Sequence, residues 1–403
     1  MIINPSSDKF INLIAAFFVL AALASCNKES FGPGDDTSFV KFFGDHLLDA
    51  GYDVKAIPDG GYVVVGTSAG ENGKNIILIR TDRSGNLLWE PKLYGGDLDD
   101  YGYSLQLLPD GGFAIAGATT RENAEGHIYK NMYLLVTDES GEILWEKEYG
   151  GDSDEVCYSL NLTSDGGFIL IGSTSGKDNS SSNIWLVKTD SQGDTLWTRT
   201  HGGVNDEEGN YITEINNGYI YAGYTKSFSQ QGQSNTNIFV AKTNSSGRIV
   251  FPYTYGANGD DHGISIMPMD GGGYLILGSA VNPSTGKKNI FLSRVGEDIS
   301  NIHWTKYLGG DTNHEPSCFK MTAGGRIAIT GTIELSSADH RIFLMETDRN
   351  GNQLFFTTFG GSGIQRANAI DETDEGGYII TGSNNLGGNS MITLIKTRPG
   401  GKL

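Results

Sequence analysis

The chain has 403 residues, a formal net charge of −19 and a pI near 4.7. A negative field of this size repels nucleic acid and anionic lipid headgroups, so DNA or RNA binding is close to excluded. Glycine accounts for 57 residues, roughly twice its ordinary share of about 7%. It follows no three-residue period and 38% of residues are hydrophobic, which argues against collagen and disorder and favours short strands joined by glycine turns.

Residues 1–25 are predicted to be a signal peptide. Lys9 precedes an apolar run from Phe10 to Ala24, which is shorter than the roughly 20 residues of a membrane helix. The run ends in Leu23-Ala24-Ser25-Cys26, which resembles the lipobox of bacterial lipoproteins. In that family the cysteine is diacylated through its sulfur and becomes the mature N-terminus. The resemblance implies lipidation of Cys26; a plain secretory signal is the alternative.

The residues after Cys26 bear on the cellular address. Asn27 stands where the family's inner-membrane retention signal has Asp, and Lys28-Glu29 resembles the short signal of lipoproteins exported to the outer face of the outer membrane. Residues 26–37 are interpreted as a flexible tether from the lipidated cysteine. The resemblance therefore implies an outer-membrane protein that touches the membrane through its lipid anchor alone and is exposed at the surface rather than facing the periplasm.

From residue 38 onward the chain repeats one unit. A glycine of the same hairpin recurs at spacings of 51 to 55 residues, at Gly61, Gly112, Gly167, Gly218, Gly273, Gly325 and Gly377. Each copy holds four short strands, which in the second copy are predicted at 104–108, 113–119, 133–137 and 143–148. Asp-Gly-Gly predicts the first hairpin and Asp-x-x-Gly the second, because glycine accepts positive φ. The period predicts an all-β, seven-bladed β-propeller with four-stranded antiparallel blades.

The chain ends predict how the ring closes. The last copy has three strands and stops at Pro399-Gly400-Gly401, whereas Phe39-Val40-Lys41-Phe42-Phe43-Gly44 matches Trp145–Gly150 of the second copy. The N-terminal strand is therefore predicted to supply the outer strand of the last blade. This closure makes residues 38–403 a single domain without an open sheet edge.

A glycine also lies inside the second strand of every copy, at Gly66, Gly117, Gly172, Gly223, Gly278, Gly331 and Gly382. Glycine within a strand usually marks a close backbone approach. We assign that approach to the neighbouring blade. Cys157 and Cys318 lie in copies three units apart, so neither a disulfide framework nor a cysteine-based metal site is predicted.

The third and fourth strands of the second copy, Leu134 to Trp145, resemble the tryptophan-docking repeat of quinoprotein-like propellers. Those include quinone-dependent dehydrogenases and an outer-membrane assembly lipoprotein. About a dozen residues of each copy carry the resemblance, in six of the copies. The Gly-to-Trp spacing is kept at Trp89, Trp145 and Trp197, with Phe251 and Phe355 replacing Trp. A broader match is to exported lipoproteins and secreted propellers of unassigned function.

The chain departs from the quinoprotein-like pattern in three ways. Its turn is one residue shorter, its copies number seven instead of eight, and no Cys-Cys pair matches the vicinal disulfide that the quinone enzymes place against their cofactor. The resemblance therefore implies the fold without a quinone. Trp89, Trp145, Trp197 and Trp304 are assigned to packing between blades.

One face of the propeller is predicted to carry the function. The loops between the second and third strands of each blade share this face, here called the front face, with the loops that lead from one copy to the next. These loops vary while the hairpins opposite are uniform, as on a binding surface held by a rigid scaffold. The candidate binding residues are Asn123, His127, Asn179, Asn235, Lys287, His314 and His340.

The loops between copies are acidic. Their candidate residues, predicted to form a broken ring near the channel mouth, are Asp97, Asp99, Asp100, Asp152, Asp154, Glu155, Asp206, Glu207, Asp260 and Asp261. Carboxylate oxygens suit Ca²⁺, so a calcium site is one hypothesis, although no EF-hand or RTX spacing is present. No other cofactor is predicted. The simpler interpretation is that these acids cap strand starts or pair with the next blade.

The sequence favours a monomeric, non-catalytic binding or scaffold lipoprotein that engages a protein or a glycan through the front face. The alternative is a polysaccharide-active hydrolase or lyase with Asp99, Asp154, Asp206 or Asp260 as acid or base. The repetition of these acids argues against it, because an active site needs one distinct constellation. An envelope-assembly scaffold is a third hypothesis.

Overall fold

The computed structural model describes residues 38–44, 48–58, 60–70, 73–175, 181–228, 235–256 and 259–403, which lie within one compact unit. These residues form 28 β-strands. The described part of the chain contains no helix that could cross a membrane. The predicted signal peptide, Cys26 and the tether 26–37 lie outside the described residues.

Five sheets have four antiparallel strands each. The N-terminal strand β1 (Phe39–Phe43) precedes them. The first is β2 (Ala50–Ala56), β3 (Tyr62–Ala69), β4 (Lys74–Thr81) and β5 (Lys92–Tyr94). The second is β6 (Asp100–Leu107), β7 (Phe113–Glu122), β8 (Ile128–Thr137) and β9 (Ile143–Tyr149). The third is β10 (Glu155–Leu162), β11 (Phe168–Ser175), β12 (Ser182–Thr189) and β13 (Thr195–His201). The fourth is β14 (Glu207–Ile215), β15 (Gly218–Thr225), β16 (Asn237–Asn244) and β17 (Ile249–Tyr255). The fifth is β18 (His262–Pro268), β19 (Tyr274–Val281), β20 (Lys288–Val295) and β21 (Ile302–Leu308).

The sixth sheet has eight strands. It contains β22 (Asn313–Met321), β23 (Ile327–Ser336), β24 (Asp339–Thr347), β25 (Gln353–Phe359), β26 (Gly363–Glu372), β27 (Tyr378–Leu386), β28 (Asn389–Lys396) and β1. Strands β22–β25 pair antiparallel, as do β26, β27, β28 and β1. Two parallel residue pairs between β24 and β26 join these halves.

The predicted pairing of the N-terminal strand with the last strand is confirmed. β1 runs antiparallel to β28 from Phe39 opposite Lys396 to Phe43 opposite Ile392. Phe39 and Phe43 pack against a buried cluster that includes Leu394. A Cβ added at Gly85, between β4 and β5, would contact the Phe39 ring. Strand β1 therefore also touches the sheet formed by β2–β5.

The core lies between neighbouring sheets. Middle strands such as β3 and β4 are apolar on both faces, and Val64 and Leu78 are fully buried. Two fourth-strand tryptophans dock edge-on against the next sheet: the Trp145 ring meets Phe168 at 5.9 Å and the Trp197 ring meets Tyr219 at 5.8 Å, and the turns at Gly193 and Gly247 cover them. Such packing between sheets was predicted for the tryptophans, and it fixes each sheet against its neighbour.

The glycines inside the second strands correct one prediction. A Cβ at Gly172 would collide with the carbonyl oxygen of Val156, which belongs to the first strand of the same sheet. The same relation holds at Gly66, Gly117, Gly223, Gly331 and Gly382. Assigning this approach to a neighbouring sheet was therefore wrong for these six; Gly278 alone among the seven would also clash with the preceding sheet, at Ile238.

The close approach accompanies a bulge in the first strand. Cys157 pairs with Gly172 and Ser159 with Ile171, so Tyr158 is the extra residue between them. A one-residue register shift occurs at the same place in β2, β6, β14, β18, β22 and β26. A bulge redirects one side chain, and here it positions the site described next.

Candidate functional site

Four of the predicted front-face acids cap strand starts. Each Oδ1 accepts a backbone N–H within two residues of the start of the third strand in the preceding sheet, at 2.9 to 3.2 Å; the pairs are Asp99 with Lys74, Asp154 with Lys130, Asp206 with Ser182 and Asp260 with Thr236. The carboxylates therefore connect one sheet to the previous one, as the simpler interpretation of the sequence predicted.

Hydrogen bonds outweigh burial in setting the pKa of Asp99 and of Asp206. Burial acts to raise the pKa of Asp99, but the Lys74 N–H and the Tyr101 hydroxyl outweigh it and lower that pKa below its usual value. The Lys226 amine, bonded at 2.7 Å, likewise lowers the pKa of Asp206. A catalytic general acid needs a raised pKa, so these carboxylates are poorly suited to that role.

The cap needs an oxygen and no charge. Asn313 holds the equivalent place before β22, and its Oδ1 accepts the Lys288 N–H at 3.2 Å. We expect Asp154→Asn to change the free energy of unfolding by less than about 0.5 kcal/mol, and Asp154→Ala to lower it by about 1 kcal/mol. Urea denaturation of both variants measures this difference. Equal destabilisation by the two substitutions would show that the charge of Asp154, and not the hydrogen bond, matters.

The acids one position later are buried and hold turns. Glu207 is fully buried; its carboxylate accepts the Gly203 N–H at 2.7 Å, the Thr225 hydroxyl at 2.8 Å and the Ser227 N–H at 3.0 Å. Glu155 makes two bonds of this kind, to Gly151 and Thr174. The set at this position comprises Asp49, Asp100, Glu155, Glu207, Asp261, His314 and Gln365, and a Cβ on the turn glycine would strike each of them.

His314, in β22, is therefore buried beneath the turn at Gly309 and not on an open binding surface. It is 2% exposed, and its Nδ1 lies 3.1 Å from the Thr312 carbonyl oxygen. The remaining metal candidates, Asp97 and Asp152, are exposed in the same turns. Within the described residues, no group of three or more His, Cys, Asp or Glu side chains could hold a metal ion, so the calcium hypothesis gains no geometric support.

The other candidate binding residues lie in separate loops. The Asn123 Oδ1 accepts the N–H groups of Glu125 and His127 and so shapes its own loop, while the exposed His127 ring stacks on Tyr129. Other positions are also distinct: Asn235 donates to the Gly259 carbonyl, Lys287 is exposed, and the His340 Nε2 lies 3.9 Å from Glu334. Asn179 lies outside the described residues.

The structure brings together a cluster that the sequence analysis missed. The bulges direct Tyr52, Tyr103 and Tyr158 into a central cavity of about 320 Å³ lined by the seven first strands. The Tyr52 and Tyr103 rings meet edge-on at 4.9 Å, and those of Tyr103 and Tyr158 lie 5.8 Å apart. Tyr101 stacks on Tyr103 at 5.8 Å with an interplanar angle of 11°. These four residues are here called the tyrosine arc.

A carboxyl group and a second aromatic pair extend the tyrosine arc. Glu208 lies near the Tyr158 hydroxyl, and burial raises the pKa of Glu208 above its usual value although that hydroxyl opposes the shift. Tyr224 stands opposite Glu208 in the sheet and packs on His262 with ring centroids 4.7 Å apart. Burial and the nearby Lys288 lower the pKa of His262, so the imidazole is neutral near pH 7.

The other part of the cavity is occupied by groups that satisfy one another. Lys55 pairs with Asp53 at 2.7 Å, and Lys320 pairs with Asp371 at 2.7 Å. Burial alone would lower the pKa of Lys55, but the two aspartates raise it above its usual value. Gln106 and Asn161 donate to backbone carbonyls of the following first strands. Binding chemistry is therefore concentrated at the tyrosine arc.

No family model matches the chain. An alignment of 202 positions, which covers 44% of this chain, is 23% identical to the regulatory protein FlaEY of Caulobacter vibrioides and spans 21% of that protein. The β-propeller domain of the Trilobed protease from Pyrococcus furiosus superposes with a TM-score of 0.51 at 11% identity, covering 88% of this chain and 94% of that one. A protein of unknown function from Dyadobacter fermentans gives 0.51 at 10% identity, covering 89% and 98%. These similarities show the fold alone: repeated four-stranded antiparallel sheets with β-propeller neighbours.

Proposed function

We propose that this chain is a non-catalytic binding module that engages a glycan at the tyrosine arc, with the front-face loops around it. The observation that carries the proposal is the convergence of Tyr52, Tyr103 and Tyr158 on one cavity, with Tyr101 stacked on Tyr103 beside it. Ligand sites combine aromatic walls with a few placed polar groups, and sugar rings offer both an apolar C–H face and hydroxyls.

The polar groups of the cluster fit this role. Glu208 and the Tyr158 hydroxyl can form hydrogen bonds with sugar hydroxyls. His262 packs on Tyr224, and this pair extends the tyrosine arc. The polysaccharide-cleaving alternative lacks comparable support, because Asp99, Asp154, Asp206 and Asp260 are engaged with backbone N–H groups.

A ring of seven blades would form the scaffold of this site. The halves of the eight-stranded sheet share two residue pairs, which supports counting them as the sixth and seventh blades. All seven first strands contribute to the central cavity, and β1 would close the ring on β28. The closed ring would hold the tyrosine arc rigid before the ligand arrives, which lowers the entropic cost of binding.

We also propose that the protein is monomeric, that it is lipidated at Cys26 of the lipobox-like Leu23-Ala24-Ser25-Cys26, and that it is displayed on the outer membrane, as Asn27 and Lys28-Glu29 imply. A glycan-binding module is useful there because its ligands are extracellular.

Protease treatment of intact cells should remove the protein, and Cys26→Ser should abolish labelling by radioactive palmitate. Full protection from the protease would disprove surface display.

Tyr103→Ala and Tyr158→Ala are expected to weaken glycan binding by about tenfold or more each, because an aromatic contact with a bound ring contributes on the order of 1 kcal/mol and these rings support one another. A glycan array followed by calorimetry measures the effect. Tyr129→Ala is the matched control, since Tyr129 lies at the start of β8 and stacks on the loop residue His127. Weakening by Tyr129→Ala but not by the other two would move the site from the tyrosine arc to the loops.

A further inference from the structure

We propose that the tyrosine arc binds an acidic sugar, whose ring packs on Tyr101 and Tyr103 and whose carboxylate or sulfate lies between the amines of Lys74 and Lys130. This inference rests on the proposed function, because it names the ligand class of the same site.

Two lysines from different sheets converge on Tyr101. The Nζ of Lys74, at the start of β4, lies 5.2 Å from the centroid of the Tyr101 ring. The Nζ of Lys130, in β8, lies 5.4 Å from the same centroid. Tyr101 stacks on Tyr103, which lines the cavity. Two ammonium groups therefore stand at the edge of the tyrosine arc.

These two amines, like those of five other lysines in the described ranges, have no carboxylate within ion-pair distance among the described residues. Most lysines of the described ranges are paired with carboxylates within 4 Å: Lys55, Lys92, Lys147, Lys188, Lys226, Lys242, Lys320 and Lys396. A net charge of −19 supplies carboxylates in excess. Leaving Lys74 and Lys130 unpaired beside a cavity keeps their charge available to a ligand.

The carboxylates near the two lysines are already engaged. Asp99 accepts the Lys74 N–H with Oδ1 and the Tyr101 hydroxyl with Oδ2, both within 2.9 Å. Asp154 accepts the Lys130 N–H at 2.9 Å. The ring attracts both ammonium groups, yet two like charges close to one ring repel each other. An anion placed between the amines would relieve that repulsion and accept charge-assisted hydrogen bonds from both.

A sugar fits the rest of the site better than an inorganic anion or a peptide. The nearly parallel Tyr101 and Tyr103 rings offer flat apolar surfaces. Glu208 and Tyr158 offer hydrogen bonds at the Tyr158 end of the tyrosine arc. The cavity of about 320 Å³ lies at the lower end of the volumes typical of ligand pockets. It suits one or two sugar rings rather than a folded segment.

Three acidic glycans and their uncharged counterparts test the inference on the purified full chain. The pairs are oligogalacturonate with its methyl ester, chondroitin sulfate with its desulfated, carboxyl-reduced form, and sialyllactose with lactose. At least one acidic member should bind about tenfold tighter than its neutral counterpart, and its affinity should fall as salt is added. K74M/K130M should reduce that affinity by about tenfold or more while keeping the aliphatic stems.

The double variant K92M/K147M is the matched control, because it removes two partly buried lysines of fourth strands, Lys92 and Lys147, which pair with Glu142 and Asp194. It should bind as the unmodified protein does, and melting curves check that both doubles fold. The inference is overturned if no acidic glycan binds more tightly than its counterpart, or if K74M/K130M retains full affinity. Should neutral glycans bind and Tyr103→Ala abolish that binding, the proposed function survives without the acidic specificity; unchanged binding by Tyr103→Ala contradicts both.

Discussion

Gly172→Ala is expected to lower the free energy of unfolding by about 3 kcal/mol or more. The added Cβ would overlap the Val156 carbonyl oxygen, a backbone atom in the neighbouring strand of the same sheet. No rotamer change can relieve that contact, so either the sheet separates or the bulge at Tyr158 is lost. Urea denaturation measures the loss of stability.

Gly151→Ala provides the control for this prediction. A Cβ at Gly151 has no heavy atom within 4 Å, and its backbone does not require positive φ. Its effect should stay within about 0.5 kcal/mol. If Gly172→Ala lowers the free energy of unfolding as little as Gly151→Ala does, the second-strand glycines do not hold the bulges in place. Because the bulge directs Tyr158 into the cavity, we also expect any refolded Gly172→Ala protein to bind glycan poorly.

The double substitution Phe39→Ala, Phe43→Ala should destabilise the protein by about 3 kcal/mol, since each apolar ring contributes roughly 1.5 kcal/mol or more when it packs into a core. Both rings contact the buried cluster that contains Ile392 and Leu394. The loss would free β1 from β28 and expose a sheet edge. Thermal and urea unfolding measure the effect.

The alternate positions of the same strand supply the comparison. Val40 and Phe42 are 41% and 46% exposed, so Val40→Ala, Phe42→Ala should cost less than about 1 kcal/mol. A β1 that is dispensable would leave both doubles equally stable. That result would contradict the proposed closure of the ring.

The repeat made the strands and hairpins predictable because each glycine turn has a direct backbone cause. Gly85, Gly141 and Gly193 all have φ between 75° and 79°, as Asp-x-x-Gly hairpins require. The partner of the second-strand glycines was not predictable. A glycine inside a strand indicates that another backbone approaches closely, but the spacing of the glycines does not show which backbone that is. A β-bulge also has no residue pattern that identifies it within one copy of the repeat.

The tyrosine arc escaped prediction for the same reason. Period-two counting assigns Tyr103 and Tyr158 to ordinary strand positions, whereas a bulge shifts the side-chain alternation by one residue. One signal was present: an aromatic residue follows Gly51, Gly102 and Cys157 at the same place in three consecutive copies. Lining up the copies for residues that break their pattern, as well as for those that keep it, would have identified the cluster.

The sequence predicted the acidic positions of the loops between copies, but it did not show which acid of each pair caps a strand and which is buried. Asp99 and Asp100 are adjacent and chemically alike, yet one caps a strand and the other is 2% exposed within a turn. An extended chain points neighbouring side chains to opposite sides, so one of each pair had to face inward. Asn313 and Gln365, which replace acids at these two positions, show that hydrogen bonding is what both positions require.

The pairing of β1 with β28 has a consequence for the order of folding. The two strands come from opposite ends of the described chain, so their contact has the largest sequence separation available to this unit. Contacts of that kind close the longest loop and form slowly. During synthesis, the first sheets can assemble while the last repeat is still being made, but the final edge stays open until Lys396 has emerged. The chain would thereby lack its closing contact, and keep an exposed sheet edge, until its last strand arrives.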